Sequence, residues 1–340
     1  MTLSTGRMSP RALLSLWVLV LALALAPAPA SAAAPIVRGA KPVDHGLIGA
    51  GEGPVQHPTS GYLLFTGGGR ITRRDHLGQI SVFREEAGGA NGLVFDAENR
   101  LIVCEAARRR VTRVEVDGTV TVLAERFQGG RFNSPNDLAV DSKGRIYFTD
   151  PRYGPTDGME LRDERGEFVE GVYRIDAPGK VFRVLGRAEV ERPNGILVSP
   201  GNQSLYVADN NNNKVGGARK LWRFDLRSDG SADLASRKLI FDWKEARGPD
   251  GFKMDQVGRL YVAAGLNKPN PPFETADRLR AGVYVLSPRG RMLEFIPIPD
   301  DEVTNCAFGG PDWKTLFITA GGHLWSIRVD TAGWTQFQRK

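Results

Sequence analysis

The sequence predicts an all-β fold, a six-bladed β-propeller with four-stranded antiparallel blades around a central channel. Three observations predict it. An amide or carboxylate recurs before a short apolar strand at Glu52 (EGPVQH), Asn91 (NGLVFD), Asn136 (NDLAVD), Asn194 (NGILVS), Asp250 (DGFKMD) and Asn305 (NCAFGG). A second strand follows each anchor: YLLFT, RLIVCEA, RIYFTD, SLYVADN, RLYVAA and TLFITA. The anchors lie roughly 40–58 residues apart, the period of a multi-stranded propeller blade.

The chain has 340 residues and a formal charge of +6. Its first 32 residues are expected to be a signal peptide rather than part of the fold. Arg7 and Arg11 give a positive start, Ala12 to Ala26 is apolar, and Ala30-Ser31-Ala32 fits a cleavage site. The apolar run is too short for a comfortable bilayer span, so no stable membrane span is expected after its removal. A secreted or periplasmic location follows as an expectation. Residues 33–340 are then expected to form one propeller domain, with about 51 residues per blade, within the range of closed β architectures.

Composition excludes some functions. Basic residues are scattered, with one run at Arg108–Arg110, so the concentrated stripe that nucleic-acid binding needs is missing. Cys104 and Cys306 fall in different blades and read as buried unpaired residues. No cysteine or histidine pairs occur at zinc spacing, and no Gly-x-Ser-x-Gly elbow frames a serine nucleophile. Oligomeric state is not encoded in any feature of the sequence.

Taken in order, blade one spans Tyr62 to Phe83 and is the least regular. Blade two reads as NGLVFD, LIVCEA, RRVTRVEVDG and TVTVLAER, with an Asp117-Gly118 hairpin turn. Blade three is NDLAVD, RIYFTD, GVYRID and KVFRVLG; blade four is NGILVS, SLYVAD, KLWRFDL and RKLIFDW. Blade five is DGFKMD, RLYVAA, GVYVLS and MLEFIPI. Blade six is NCAFGG, TLFITA, HLWSIRV and a weak final strand near Trp334 to Gln338, with residues 36–50 as a further strand available for ring closure.

A meander blade places the anchors on the same face as the loops between second and third strands. Those loops carry the long insertions 151–171, 210–220 and 265–282, whereas the opposite turns (AENR, SKGR, QVGR) are short. Long loops on one face of a rigid scaffold make that face the ligand side. Equivalent anchors around one channel form an oxygen-rich ring. Its two carboxylates and several amide oxygens suit a hard divalent cation. Calcium is expected first, with magnesium, manganese or zinc as alternatives.

Each anchor taken alone is better explained as a turn former or strand cap, and Asn91 and Asn305 fit that role. Glu52 does not, because it is a poor turn residue in the same slot, and the set as a whole favours a ring. Around the ring, Asp150 is expected to bond local backbone and His57 to be a loop histidine. Tyr153 and Arg152 open the blade-three insertion, where they contact substrate or pack the surface.

These residues resemble the senescence-marker/gluconolactonase (regucalcin-like) family of six-bladed propeller hydrolases. The matches are EGPV at Glu52, ANGLVFD, NSPNDLAVDSKGRIYFTDPRYG, RPNGILVSP and GPDGFKMDQVGRLYV, together covering about residues 46 to 330. The resemblance implies a calcium or similar ion held by Glu52, Asn194 and Asp250 with Asn136 on or near it. It also implies Asp250 as the catalytic acid/base. Asn136, Asn305, Asn91 and Tyr153 are then the expected substrate contacts. Two departures, Gln56 in place of an aromatic residue and the abbreviated GGGRITRR stretch, bear on the pocket wall. The implied activity is lactone hydrolysis, on a small-molecule sugar lactone. The alternatives are a phosphotriesterase-like activity in the same pocket, or a non-enzymatic binding module stabilised by calcium.

Overall fold

The computed structural model describes residues 34–337; the expected signal peptide, residues 1–32, lies outside them. Six four-stranded antiparallel sheets account for nearly all the regular structure. Among the described residues the only helical element is a 3-10 turn at Pro200–Asn202.

Blade one is Glu52–Gln56, Leu63–Gly67, Arg70–Arg74 and Ile80–Arg84, as regular as the others. The first two strands of blades two to five are Ala90–Phe95 and Leu101–Glu105, Leu138–Val140 and Ile146–Asp150, Pro193–Val198 and Ser204–Asn210, and Phe252–Met254 and Leu260–Ala264. Blade six has Val303–Gly309 innermost, then Thr315–Ala320 and Gly322–Arg328, and its outermost strand is Val43–Ala50 from the start of the chain. The final strand expected near Trp334 to Gln338 is therefore replaced. Residues 330–337 run across the end of the channel instead, where the Trp334 amide donates to Met254 O at 2.9 Å and Gly333 bridges Asp255.

Burial explains the arrangement. Middle strands such as Leu101–Glu105, Leu260–Ala264 and Gly282–Leu286 are buried at every residue, because both sheet faces are covered by neighbouring blades. Outer strands such as Ile80–Arg84 keep exposed positions. Six apolar clusters lie one between each pair of neighbours. Leu64, Ile71, Leu93 and Val103 join blades one and two. Ala50, Leu63, Phe65, Phe317 and Leu324 join six to one. That last cluster closes the ring. Cys104 and Cys306 are free and buried in two different clusters, as expected.

The far-side turns share one clasp. Asp96, Asp141 and Asp255 each accept the side-chain Nε of the arginine four residues on, Arg100, Arg145 and Arg259, at 2.7, 2.6 and 2.5 Å. Each also caps backbone amides of its own turn.

The glycine after an anchor has a different task from turn formation. A Cβ on Gly53 would lie 2.0 Å from Asn91 O, one on Gly92 2.6 Å from Asn136 O, and one on Gly195 2.3 Å from Asp250 O. Each glycine lets the inner strand of one blade abut the anchor of the next. Gly195→Ala is accordingly expected to lower stability by about 2 kcal/mol, the usual cost of overpacking a site that cannot yield. Urea unfolding checks this, and an unchanged midpoint would show that the blades have room to separate.

Candidate active site

The anchors converge at one end of the channel. Interstrand hydrogen bonds define equivalent positions: Asn136 N donates to Thr149 O and Asp250 N to Ala263 O, both at 2.9 Å. Thr149 N and Ala263 N return bonds to Asp137 O and Gly251 O. By this register the upper ring is Glu52, Asn91, Asn136, Asn194, Asp250 and Thr304. Gly251 N bonds Thr304 O just as Gly92 N bonds Asn136 O, each at 2.7 Å. Asn305 sits one residue further in, opposite Thr319 and level with Asp137 and Gly251. The anchor pattern thus slips by one residue in blade six, where the pairing carries a bulge between Val303 and Asn305.

Asn305 still serves the site. Its Nδ2 donates to Glu52 Oε2 at 3.1 Å, and its Oδ1 accepts from the Cys306 amide at 2.9 Å, which fixes the amide's orientation. Asn194 Nδ2 donates to the Tyr153 hydroxyl at 2.8 Å, leaving its carbonyl oxygen as the atom free for a cation or substrate. Tyr153 therefore orients Asn194, while its ring lies 5.3 Å from the Arg192 guanidinium. Arg192 is held by Glu170 through two bonds of 2.8 and 3.0 Å, and Glu170 also accepts the Arg152 amide. The blade-three insertion is anchored this way to the strand carrying Asn194.

Asp150 and Asp209 position the loops leading into the anchors. Asp150 accepts the Asn133 and Ser134 amides at 2.8 Å each, and Asp209 accepts those of Glu191 and Arg192. Burial pushes the Asp150 acid up to about 7 despite those amides. His57 binds Thr59 and Ser60 within its own loop and packs on Tyr62 and Phe95, as a loop histidine should. Gln56 exchanges two hydrogen bonds with Gly310, so it clamps blade one to blade six where it helps line the channel cavity.

Asp250 is 3 % exposed, and its Oδ2 pairs with Arg247 at 2.9 Å. Arg247, itself buried, also reaches Glu302 at 3.0 Å. Sequence reading did not single out Arg247; the Arg-Gly-Pro-Asp-Gly run before the strand was the available signal. Burial raises Asp250 to about 6, against the pull of Arg247. Burial also raises Glu52 well above the usual carboxylate range, and the neighbouring Asp250 charge pushes it further. The other Asp250 oxygen, Oδ1, and Asn91 Oδ1 are buried without a partner among protein atoms. Two carboxylates that resist ionising together, beside orphaned oxygens and free amide carbonyls, fit a hard divalent cation. No group of three or more His, Cys, Asp and Glu gathers for a metal among the described residues, so the fit rests on amides completing a two-carboxylate set.

The SMP-30/Gluconolactonase/LRE-like region matches residues 50–322, which span all six anchors. The chain belongs to this family. It is 29% identical over 304 residues to a gluconolactonase of Zymomonas mobilis, covering 83% of this chain and 79% of that one. It is 27% identical over 280 residues to the pentonolactonase XacC of Haloferax volcanii, covering 80% and 81%. A solved gluconolactonase from Xanthomonas campestris superposes with a TM-score of 0.69 at 29% identity, covering 89% of this chain and 99% of that one.

Proposed function

We propose that this protein is a divalent-cation-dependent lactonase that opens a sugar lactone of the gluconolactone type. The observation that carries the reading is the buried Asp250 carboxyl, its Oδ1 orphaned beside amide carbonyls, with the half-buried Glu52 close enough for the two charges to oppose each other. Gluconolactonase and pentonolactonase relatives that align over most of the chain support the substrate class.

Glu52, Asn194 and Asp250, with Asn136 beside them, would hold the ion. Bound there, it would supply Lewis acidity toward the ester carbonyl and the oxyanion that forms on attack. The chain's own residues do the rest. Arg247 fixes Asp250 through Oδ2, so Oδ1 would face both the ion and, through its second lone pair, a water from which it takes a proton as the water oxygen adds to the carbonyl carbon. When the ring C–O bond breaks, that proton returns to the departing alkoxide. Tyr153 and Asn305 keep Asn194 and Glu52 in register. The sequence pattern of residues 1–32, read as a signal peptide, supports a secreted or periplasmic location for this activity.

The test is hydrolysis of glucono-1,5-lactone by the mature protein, followed by proton release after chelation and after adding back calcium, magnesium, manganese or zinc. Turnover restored by metal is the expected result. Turnover of phosphotriesters alone would move the substrate class, and calcium-dependent stability without any turnover would favour a binding module.

A further inference from the structure

Below the upper ring the channel changes character. At the level three residues past the anchors, the channel-lining side chains are Val55, Val94, Ala139, Leu197, Lys253 and Ala307. Five are small or apolar. They help line a cavity of about 130 Å³ that Trp334 and Phe337 flank at the far end. Lys253 alone carries charge, and its aliphatic stem lies on this apolar wall while its ammonium goes elsewhere.

The ammonium turns up toward the level between wall and ring. It donates to Asn305 Oδ1 at 3.5 Å and to Phe252 O at 3.2 Å. Asp137 occupies that level in a slot that four other blades fill with glycine: Gly53, Gly92, Gly195 and Gly251. It is 3 % exposed; Oδ1 accepts the Leu138 amide at 2.8 Å, and Oδ2 is buried with no partner among protein atoms. Burial pushes its acid up, and Lys253, outside direct ion-pair reach, is the main charge opposing that.

We propose that Lys253 is a tethered counter-cation for Asp137, filling the level beneath the ring so that the channel takes one divalent ion rather than two. The inference rests on the upper ring being a cation site. Charge counting supports it. Arg247 pairs with Asp250 and with the exposed Glu302, and setting Glu52, Asp137, Asp250 and Glu302 against Arg247 and Lys253 leaves the charge of a single divalent ion uncompensated. Without Lys253 the deficit grows, and Asp137 Oδ2 and Asn305 Oδ1 are left as hard oxygens with no cation.

Calcium stoichiometry decides this, measured by calorimetry and by elemental analysis of desalted protein. One ion per chain is expected for the parent and for Lys253→Arg, two for Lys253→Met, and one again for Asp137→Asn/Lys253→Met. A single ion in Lys253→Met, bound as in the parent, overturns the proposal. Melting of the chelated proteins gives a readout free of calcium. Lys253→Met should lower the midpoint by several degrees, and adding Asp137→Asn should recover most of the loss. Additive losses overturn the proposal. Should Lys253→Met fail to fold, a folded double variant supports the coupling and an unfolded one refutes it. A parent that binds no calcium sinks the ring reading, while the melting cycle still judges Lys253.

Discussion

Asp250→Asn is expected to fold, to keep the geometry of the ring, and to lose turnover by about a hundredfold or more. The fold should survive because the substitution keeps the shape and an oxygen for Arg247, and Glu302 remains to balance the guanidinium. It also removes one of two charges that burial opposes. What it removes from the chemistry is the acceptor at Oδ1, which an amide cannot replace. Weaker cation binding is part of the same loss, so turnover is to be compared at saturating calcium, with occupancy measured alongside. Near-parent turnover in a folded, loaded Asp250→Asn protein would remove Asp250 from the acid/base role.

The chelated protein is expected to lose stability as pH rises from about 4 to 7, and calcium should restore it at the upper end. The sign follows from the acids. Asp250 rises from 3.8 to about 6 on folding, so between those values the unfolded chain has released a proton that the folded chain retains. Stability therefore falls as pH climbs through that window. Glu52, raised in the same direction, adds to the fall. A divalent ion that binds the ionised pair acts oppositely, stabilising the fold where both acids are deprotonated. Melting curves across pH, with chelator and with calcium, should diverge above pH 6 by several degrees and nearly coincide at pH 4. Curves that stay parallel throughout would mean that the ion, if bound, sits away from these carboxylates.

The fold was legible because each blade repeats the same alternation of strand and turn behind a polar anchor. Placement of the inserted loops followed from strand direction alone. The site was legible as far as the anchors share a register. Asn305 broke that register: Asn and Thr are adjacent there, and a bulge decides which one enters the ring. Tyr153 lies against Asn194, but a hydroxyl that receives Asn194 Nδ2 cannot be told from a substrate contact by its position in a loop. Arg247 carries no periodic signal, since its contact with Asp250 depends on the path of the loop before the strand. Lys253 did leave a trace, as the one charged residue in a slot otherwise filled by Val55, Val94, Ala139, Leu197 and Ala307. The close approach that the repeated glycines permit appears only when neighbouring blades are in place.

The pairing of Val43–Ala50 with Gly322–Arg328 has a consequence for how the chain is made. An emerging polypeptide presents its eight-residue clasp first and the strand that receives it almost last. Throughout synthesis, and through any narrow passage that admits one residue at a time, the clasp has no partner and the ring stays open. The loop that must then close is nearly the whole molecule, though its entropic cost grows only slowly with length. Such a design ties the ring's integrity to the completeness of the chain: a product stopped before the last blade has neither a closed channel nor the sixth position of its ring.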